Sequence, residues 1–300
     1  MAGIISALAA TELESRLSTQ NILVVGGTAG IGKALSEACL KRGARVTVVG
    51  RRSPGPELAS ATFVAKDLSL MENAAALAKE IGDANSYDTI LFTNGIFAAS
   101  ERQVSGEGIE LDLAVSYLSR YVFMQKLLDN GYGASAKKRA SKQRVFVMGF
   151  PGAKVTPNLD DFNWEQSYSA IPVHMNTVAA NEALVTHINL ESHGNVNAYG
   201  LSPGIIKTEI RDNFLGKGSW KSSLLETMIG WFTPTAESYA EKQLIHILTS
   251  PELEGKPGLM INNKRQIVPP NPALTPEVIE RIMTESQKLT NRALSSKVPL

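Results

Sequence analysis

The chain has 300 residues, 43% of them hydrophobic and 20% charged, which fits one large globular domain or two small ones. Lys plus Arg number 30 and Asp plus Glu 29, so a net charge of +1 argues against a nucleic-acid partner. One cysteine, Cys39, excludes an internal disulfide framework and a multi-Cys zinc site; the histidines at 174, 187, 193 and 246 lack compact ligand spacing.

No uncharged apolar run reaches the roughly 18–20 residues that span a bilayer, so no membrane span is expected. The opening MAGIISALAATELESRL lacks a basic start and soon turns acidic, which argues against a signal peptide and for a cytoplasmic protein. Residues 1–20 read as a helical extension, 21–265 as the main domain and 266–300 as a C-terminal helical tail.

In chain order, Ile22 to Val25 is a short apolar run, followed by glycines and then Ile31, Ala34, Leu35 and Ala38 at helical spacing. Gly43 closes that helix, and Arg45 to Val49 reads as the next strand. Phe63 to Ala65, Ile90 to Thr93, Val145 to Met148, Val196 to Leu201 and Leu259 to Asn262 continue the strand series. Segments 72–81, 109–129 and 175–191 fit the intervening helices. This alternation predicts an α/β fold of about seven strands, doubly wound and parallel, with helices on both faces. Residues 151–173 and 205–235 interrupt the rhythm as long connections of the kind that form lids and binding loops. Gly131 to Gln143 is a polar, basic surface loop, and Thr275-Pro276 opens a last helix to about Leu289.

The first strand runs into Gly26-Gly27-Thr28-Ala29-Gly30-Ile31-Gly32, which opens a helix. Glycines at 26, 30 and 32 allow a tight turn and let a pyrophosphate approach the free N–H groups of the helix N-terminus, as in Rossmann-type sites. The spacing GxxxGxG resembles the short-chain dehydrogenase/reductase family. The resemblance covers roughly residues 20–265 and rests on further motifs in the family's order. Asp67-Leu68 resembles its adenine-contacting element, and Thr93-Asn94-Gly95 its NNAG element. Ser202-Pro203-Gly204, with Thr208 beyond, resembles the segment lining the nicotinamide. The second strand ends in Gly50-Arg51-Arg52 with no carboxylate to bind a ribose 2′-hydroxyl; a guanidinium there suits a 2′-phosphate, so NADP(H) is the expected cofactor.

The same resemblance exposes what is missing. Family members carry Tyr-x-x-x-Lys on the helix after the fifth strand, yet none of the seven tyrosines here has a lysine four residues on. The segment Ala179-Ala180-Asn181-Glu182-Ala183-Leu184 sets the register and places His174 at the tyrosine position and Val178 at the lysine position. The family's serine falls at Gly149 or Phe150, and its helix asparagine at Asp112. An imidazole can donate or accept a proton near neutrality, so His174 is the candidate acid–base group, Asp112 its orienting carboxylate and Tyr168 a further candidate. Tyr117 and Tyr121 read as core or interface residues, and Cys39 as a small buried one.

Three functions remain open at this level. One is an NADP(H)-dependent oxidoreductase acting on a hydrophobic carbonyl or alcohol. The second is a non-redox enzyme on the same scaffold, such as a cyclase, isomerase or dehydratase. The third is a catalytically silent NADP(H)-binding protein. The resemblance further implies a homodimer or homotetramer, unless the C-terminal helix covers the usual interface.

Overall fold

The computed structural model describes residues 3–81, 83, 86–134, 142–204, 206 and 234–295. Eight strands form one sheet: β1 (Asn21–Val25), β2 (Arg45–Gly50), β3 (Thr62–Ala65), β4 (Thr89–Phe92), β5 (Gln143–Met148), β6 (Val196–Leu201), β7 (Met260–Ile261) and β8 (Ile267–Val268). Their order is β3-β2-β1-β4-β5-β6-β7-β8, parallel up to β7. The order of strand addition reverses between β1 and β4, and ligands of such sheets bind at the carboxyl ends of the strands beside this switch point.

The eighth strand corrects the expected seven. Asn262 Oδ1 accepts the N–H groups of Lys264 and Gln266, and Arg265 adopts a left-handed φ of 62°. This tight turn brings Ile267–Val268 back antiparallel on β7. An Asn closing a turn with its own side chain is the local signal for it.

The helices are α1 (Ala10–Leu17), α2 (Gly30–Leu40), α3 (Met71–Glu80), α4, α5 (Ala170–Glu191), α6 and α7 (Pro276–Ser295). Helix α4 is continuous through Leu111–Leu113, a π turn at Ala114–Leu118, and Ser119–Asp129. Helix α6 is likewise built from Ala236–Tyr239, a π turn at Ala240–Leu244, and Ile245–Thr249.

Alternate residues of the central strands feed opposite layers. Leu23, Val25, Ile90, Phe92, Val145 and Val147 pack under α3, α4, α5 and α7, whereas Ile22, Val24, Val48, Leu91, Phe146 and Met148 pack under α1, α2 and α6. The two-residue period of a strand and helices on both faces are the same fact seen at two scales.

Three expected boundaries move. Helix α5 begins at Ala170, five residues earlier than its spacing suggests, because Pro172 lies in the first turn, where a helix needs no N–H. Helix α7 runs past Leu289 to Ser295, as Thr290 and Ala293 continue its buried face. Gln143 belongs to β5 rather than to the preceding loop: it is buried and donates to the Tyr87 carbonyl at 2.7 Å. Helix α7 lies on α4, where the buried Tyr117 hydroxyl meets Ser286 Oγ at 2.7 Å and Tyr121 donates to Gln287 at 3.1 Å. Cys39 is buried, and burial pushes its thiol up to about 12, so it behaves as core.

Candidate active site

The first half of the site is made of backbone. The amides of Gly26 and Gly27 bond to the Val49 carbonyl at 2.9 and 3.2 Å, folding the turn back over β2. Gly26 adopts φ +91°, and a Cβ there would stand 2.7 Å from Asn94 Cα and 2.8 Å from the Thr93 carbonyl carbon. Only glycine fits that approach. Gly32 packs against the Gly26 carbonyl and Thr93 in the same way, and Thr28 covers Gly50. Helix α2 starts at Gly30 with Ala29 as N-cap, no side chain bonded to its first turn and no acidic residue in it. Its opening N–H groups, including that of Ile31, are thus available to an anion.

Around this turn, Arg51 and Arg52 are exposed and have no ion-pair partner among the described residues. Asp67 is exposed and accepts the Ser69 amide at 3.0 Å, while Leu68 is buried. Asn94 is buried: its Nδ2 donates to the Val115 carbonyl at 2.7 Å and to Ser119 Oγ, and its Oδ1 has no protein partner. Gly95 faces Ser116 and Arg120. Pro203 is half-buried, and Gly204, at φ +65°, lies against Asn263. Thr208 and nearly all of the 205–235 connection lie outside the described residues.

The second half is made of side chains. His174, in the second turn of α5, and Asp112, in the first turn of α4, meet with Nδ1 and Oδ2 2.7 Å apart. Asp112 is fully buried, and its other oxygen accepts the Ser116 hydroxyl at 2.5 Å. A carboxylate accepts, which makes Nδ1 the donor of this bond and leaves Nε2 to other partners. The imidazole stacks on Phe97 with ring centres 3.9 Å apart, which fixes its plane. Ser116 also receives the Ile96 amide at 2.9 Å and lies within the π turn of α4, a helix distortion frequent at functional sites.

Tyr168 does not join this pair. Its hydroxyl donates to the Ala99 carbonyl at 2.7 Å, and burial with the nearby Glu110 and Asp112 charges pushes its phenol up to about 12. The connection that carries it is pinned rather than loose: Asp161 accepts the amides of Glu165, Gln166 and Ser167. Glu110, which caps α4 by accepting the Leu113 amide at 2.7 Å, is buried, and desolvation pushes its carboxyl up to about 7.

Arg120 escaped the sequence analysis. It is 3% exposed on α4, and its guanidinium donates to the Met148 carbonyl at 2.6 Å, to Asn181 Oδ1 at 2.8 Å and to the Asn94 carbonyl. Asp112, Ser116 and Arg120 recur every four residues on α4, and that polar stripe was the signal for it. Behind His174, Val178 closes a crevice with Gly149, Phe150, Asn181 and Glu182 that is too narrow for a water molecule. Among the described residues no three His, Cys, Asp or Glu side chains group as metal ligands, and no helix is long and apolar enough to cross a membrane.

Comparison with known proteins identifies the family. The family model for short chain dehydrogenase matches residues 20–108, the span of the glycine turn and Asn94. "Uncharacterized oxidoreductase YKL107W" of Saccharomyces cerevisiae is 40% identical over 93% of this chain and 90% of its own length. "Polyprenol dehydrogenase" of Mus musculus is 23% identical over 89% of this chain and 83% of its own. Among solved structures, a 3-ketoacyl-(acyl-carrier-protein) reductase from Brucella melitensis complexed with NADH superposes with a TM-score of 0.60 at 16% identity, covering 82% of this chain and 97% of that one. With this sheet order, this glycine turn and a full-length relative at such identity, the chain belongs to the short-chain dehydrogenase/reductase family of oxidoreductases.

Proposed function

We propose that the protein is an NADP(H)-dependent oxidoreductase that interconverts a hydrophobic alcohol and its carbonyl, with His174 in the place of the family's tyrosine. The observation that carries this reading is the His174–Asp112 pair at 2.7 Å, buried on its Asp112 side and bordered by the nucleotide turn through Asn94 and Gly95. The residues present fit a dinucleotide: the uncapped start of α2 and the glycine cradle suit a pyrophosphate, and Asn94 Oδ1 is a buried acceptor still lacking a donor. Gly26, Thr28, Ala29, Gly30, Ile31 and Gly32 would hold the pyrophosphate, Asp67 and Leu68 the adenine, and Arg51 with Arg52 the 2′-phosphate. Asn94, Gly95, Pro203, Gly204 and Thr208 would hold the nicotinamide side. When bound, the nicotinamide accepts or gives the hydride.

The chain's own contribution is the proton. His174 Nε2 takes it from a substrate hydroxyl, and the same atom returns it in the reverse direction. Asp112 holds the tautomer and balances the imidazolium that forms; Ser116 and Phe97 fix the carboxylate and the ring. Phe150, after β5, and Ile171, in the first turn of α5, are exposed large apolar side chains and favour an apolar substrate, and the name of the mouse relative, polyprenol dehydrogenase, points the same way.

The test is turnover of long-chain alcohols and aldehydes, followed by the absorbance of reduced nicotinamide. His174→Asn, which can still donate to Asp112, is expected to lower kcat/KM by roughly 10²–10⁴-fold with dinucleotide affinity unchanged. Equal turnover in the variant overturns the assignment. A wild type that binds NADPH but turns over no alcohol, aldehyde or ketone supports the silent dinucleotide-binding alternative.

A further inference from the structure

The family's lysine position holds an apolar residue, Val178, yet this region still contains a cation. Arg120 comes from a different helix, α4, and bonds Asn181, three residues beyond Val178 on α5, and three features of its setting set it apart from a packing residue. It is 3% exposed, and all its hydrogen bonds go to neutral oxygens: the carbonyls of Asn94 and Met148 and the side chain of Asn181. Its Nε has no partner, and among the described residues no carboxylate lies within ion-pairing distance of it. A buried guanidinium without a contacting carboxylate is costly, by several kcal/mol for the desolvation alone. A purely structural tie between these oxygens could be made by a neutral side chain without that cost.

Burial pulls the guanidinium down to about 9, and the charge that pushes it back up is Asp112, two turns earlier on the same helix, whose partner Ser116 borders Gly95 together with Arg120. Asp112 is in turn committed to His174 and Ser116. One buried carboxylate therefore faces two basic groups, of which only the guanidinium is permanently charged. The neutral arrangement of the three is an ionised Asp112, a cationic Arg120 and an uncharged His174. The other charged and titratable groups around them are Glu110 at the start of α4, Arg102 in the segment before it, and Tyr168 before α5. Each remains when Arg120 is changed.

We infer that Arg120 is the positioning cation of this site: by balancing Asp112 it keeps His174 uncharged at rest, ready to take the proton of a substrate hydroxyl. The site is thereby set for alcohol oxidation, with the hydroxyl proton passing to Nε2 and the hydride to an oxidised nicotinamide dinucleotide. The inference rests on the His174 chemistry proposed above for its consequence, but not for the electrostatics, which can be measured without turnover.

The experiment follows the ring resonances of the four histidines against pH by NMR in the full-length protein, His174 being assigned by its loss in His174→Asn. In Arg120→Met the titration midpoint of His174 is expected to move upward by ~1 pH unit, because the carboxylate now serves the imidazole alone. In Arg120→Lys, which keeps the charge and loses the fork, it is expected to stay where it is in the wild type. In an active enzyme the acid limb of the kcat/KM–pH profile moves with it. An unmoved midpoint in Arg120→Met, or the same upward shift in Arg120→Lys, overturns the inference. Should Arg120→Met not fold, Arg120→Gln, which still donates to these oxygens, carries the same expectation. If the wild type oxidises no alcohol while the Met or Gln variant shifts the midpoint and Lys does not, the proposed function fails and the role of Arg120 stands.

Discussion

The glycine turn and the His174–Asp112 region of this molecule are built from different materials. Around β1 and α2 recognition is a matter of backbone: glycines that let strands and helix approach, and N–H groups at an uncapped helix start. Around α4 and α5 the contacts are made by side chains, the His174–Asp112 pair with Ser116, and Arg120 with Asn181. Backbone geometry tolerates almost no substitution, because any Cβ collides. Side-chain chemistry can be rebuilt from another quarter, because a proton carrier needs only the right atom at the right point. Here a helix that usually supplies one amide side chain supplies a carboxylate, a hydroxyl and a guanidinium at a four-residue repeat.

That contrast can be broken most forcefully at Gly26. Gly26→Ala forces a side chain into left-handed backbone and against Asn94, and is expected to destabilise the fold by ~2–5 kcal/mol and to abolish measurable dinucleotide binding. Chemical denaturation and calorimetry check it; a variant as stable and as tight as the wild type would show that the cradle is not backbone-limited.

Glu110 tests the side-chain half. Its carboxyl is held up at about 7 by burial, against an ordinary 4.5. A raised folded value means that the stabilising contribution is complete below about 4.5 and is lost as pH rises through about 7. Glu110→Gln keeps the acceptor for the Leu113 amide and does not titrate. Its stability relative to the wild type is expected to rise by up to about 3 kcal/mol between roughly pH 5 and 8. Parallel denaturation curves at both pH values would refute the burial penalty.

Arg51 sharpens the comparison where the two materials meet, since cofactor choice is the one side-chain decision made at the nucleotide end. Arg51→Ala is expected to weaken NADPH binding by roughly 10- to 150-fold, about 1.5–3 kcal/mol, and to leave NADH binding unchanged. Titration of wild type and variant with both cofactors decides it, and equal wild-type affinities would remove the NADP preference.

Much of the fold could be read from the chain because its signals are local. Alternating apolar runs and helical spacings gave the first seven strands to within a residue or two, and Gly43, Pro172 and Pro276 act within their own turns. The hairpin into β8 escaped because two residues make too short a run to show a period. Tyr168 drew attention as a phenol in a long connection, but its hydroxyl is taken by a carbonyl 69 residues away. Phe97 was missed for a related reason, since a lone Phe in a loop announces no partner; Ser116 and Arg120 stood in the four-residue polar stripe of α4, but their contacts with Ile96 and Asn181 lie on other elements.

The sequence by itself determined the parallel sheet and the glycine turn, since each follows from spacing or backbone freedom. Only the tertiary structure decided which side chains meet beside that turn. Asp112 and His174 are 62 residues apart in the chain, and their contact exists because α4 and α5 pack side by side over the same strands. Whether a carboxylate is a solvated surface group or the buried partner of an imidazole depends on the medium around it. That medium, water or protein interior, is set by packing, and packing is a property of the whole fold.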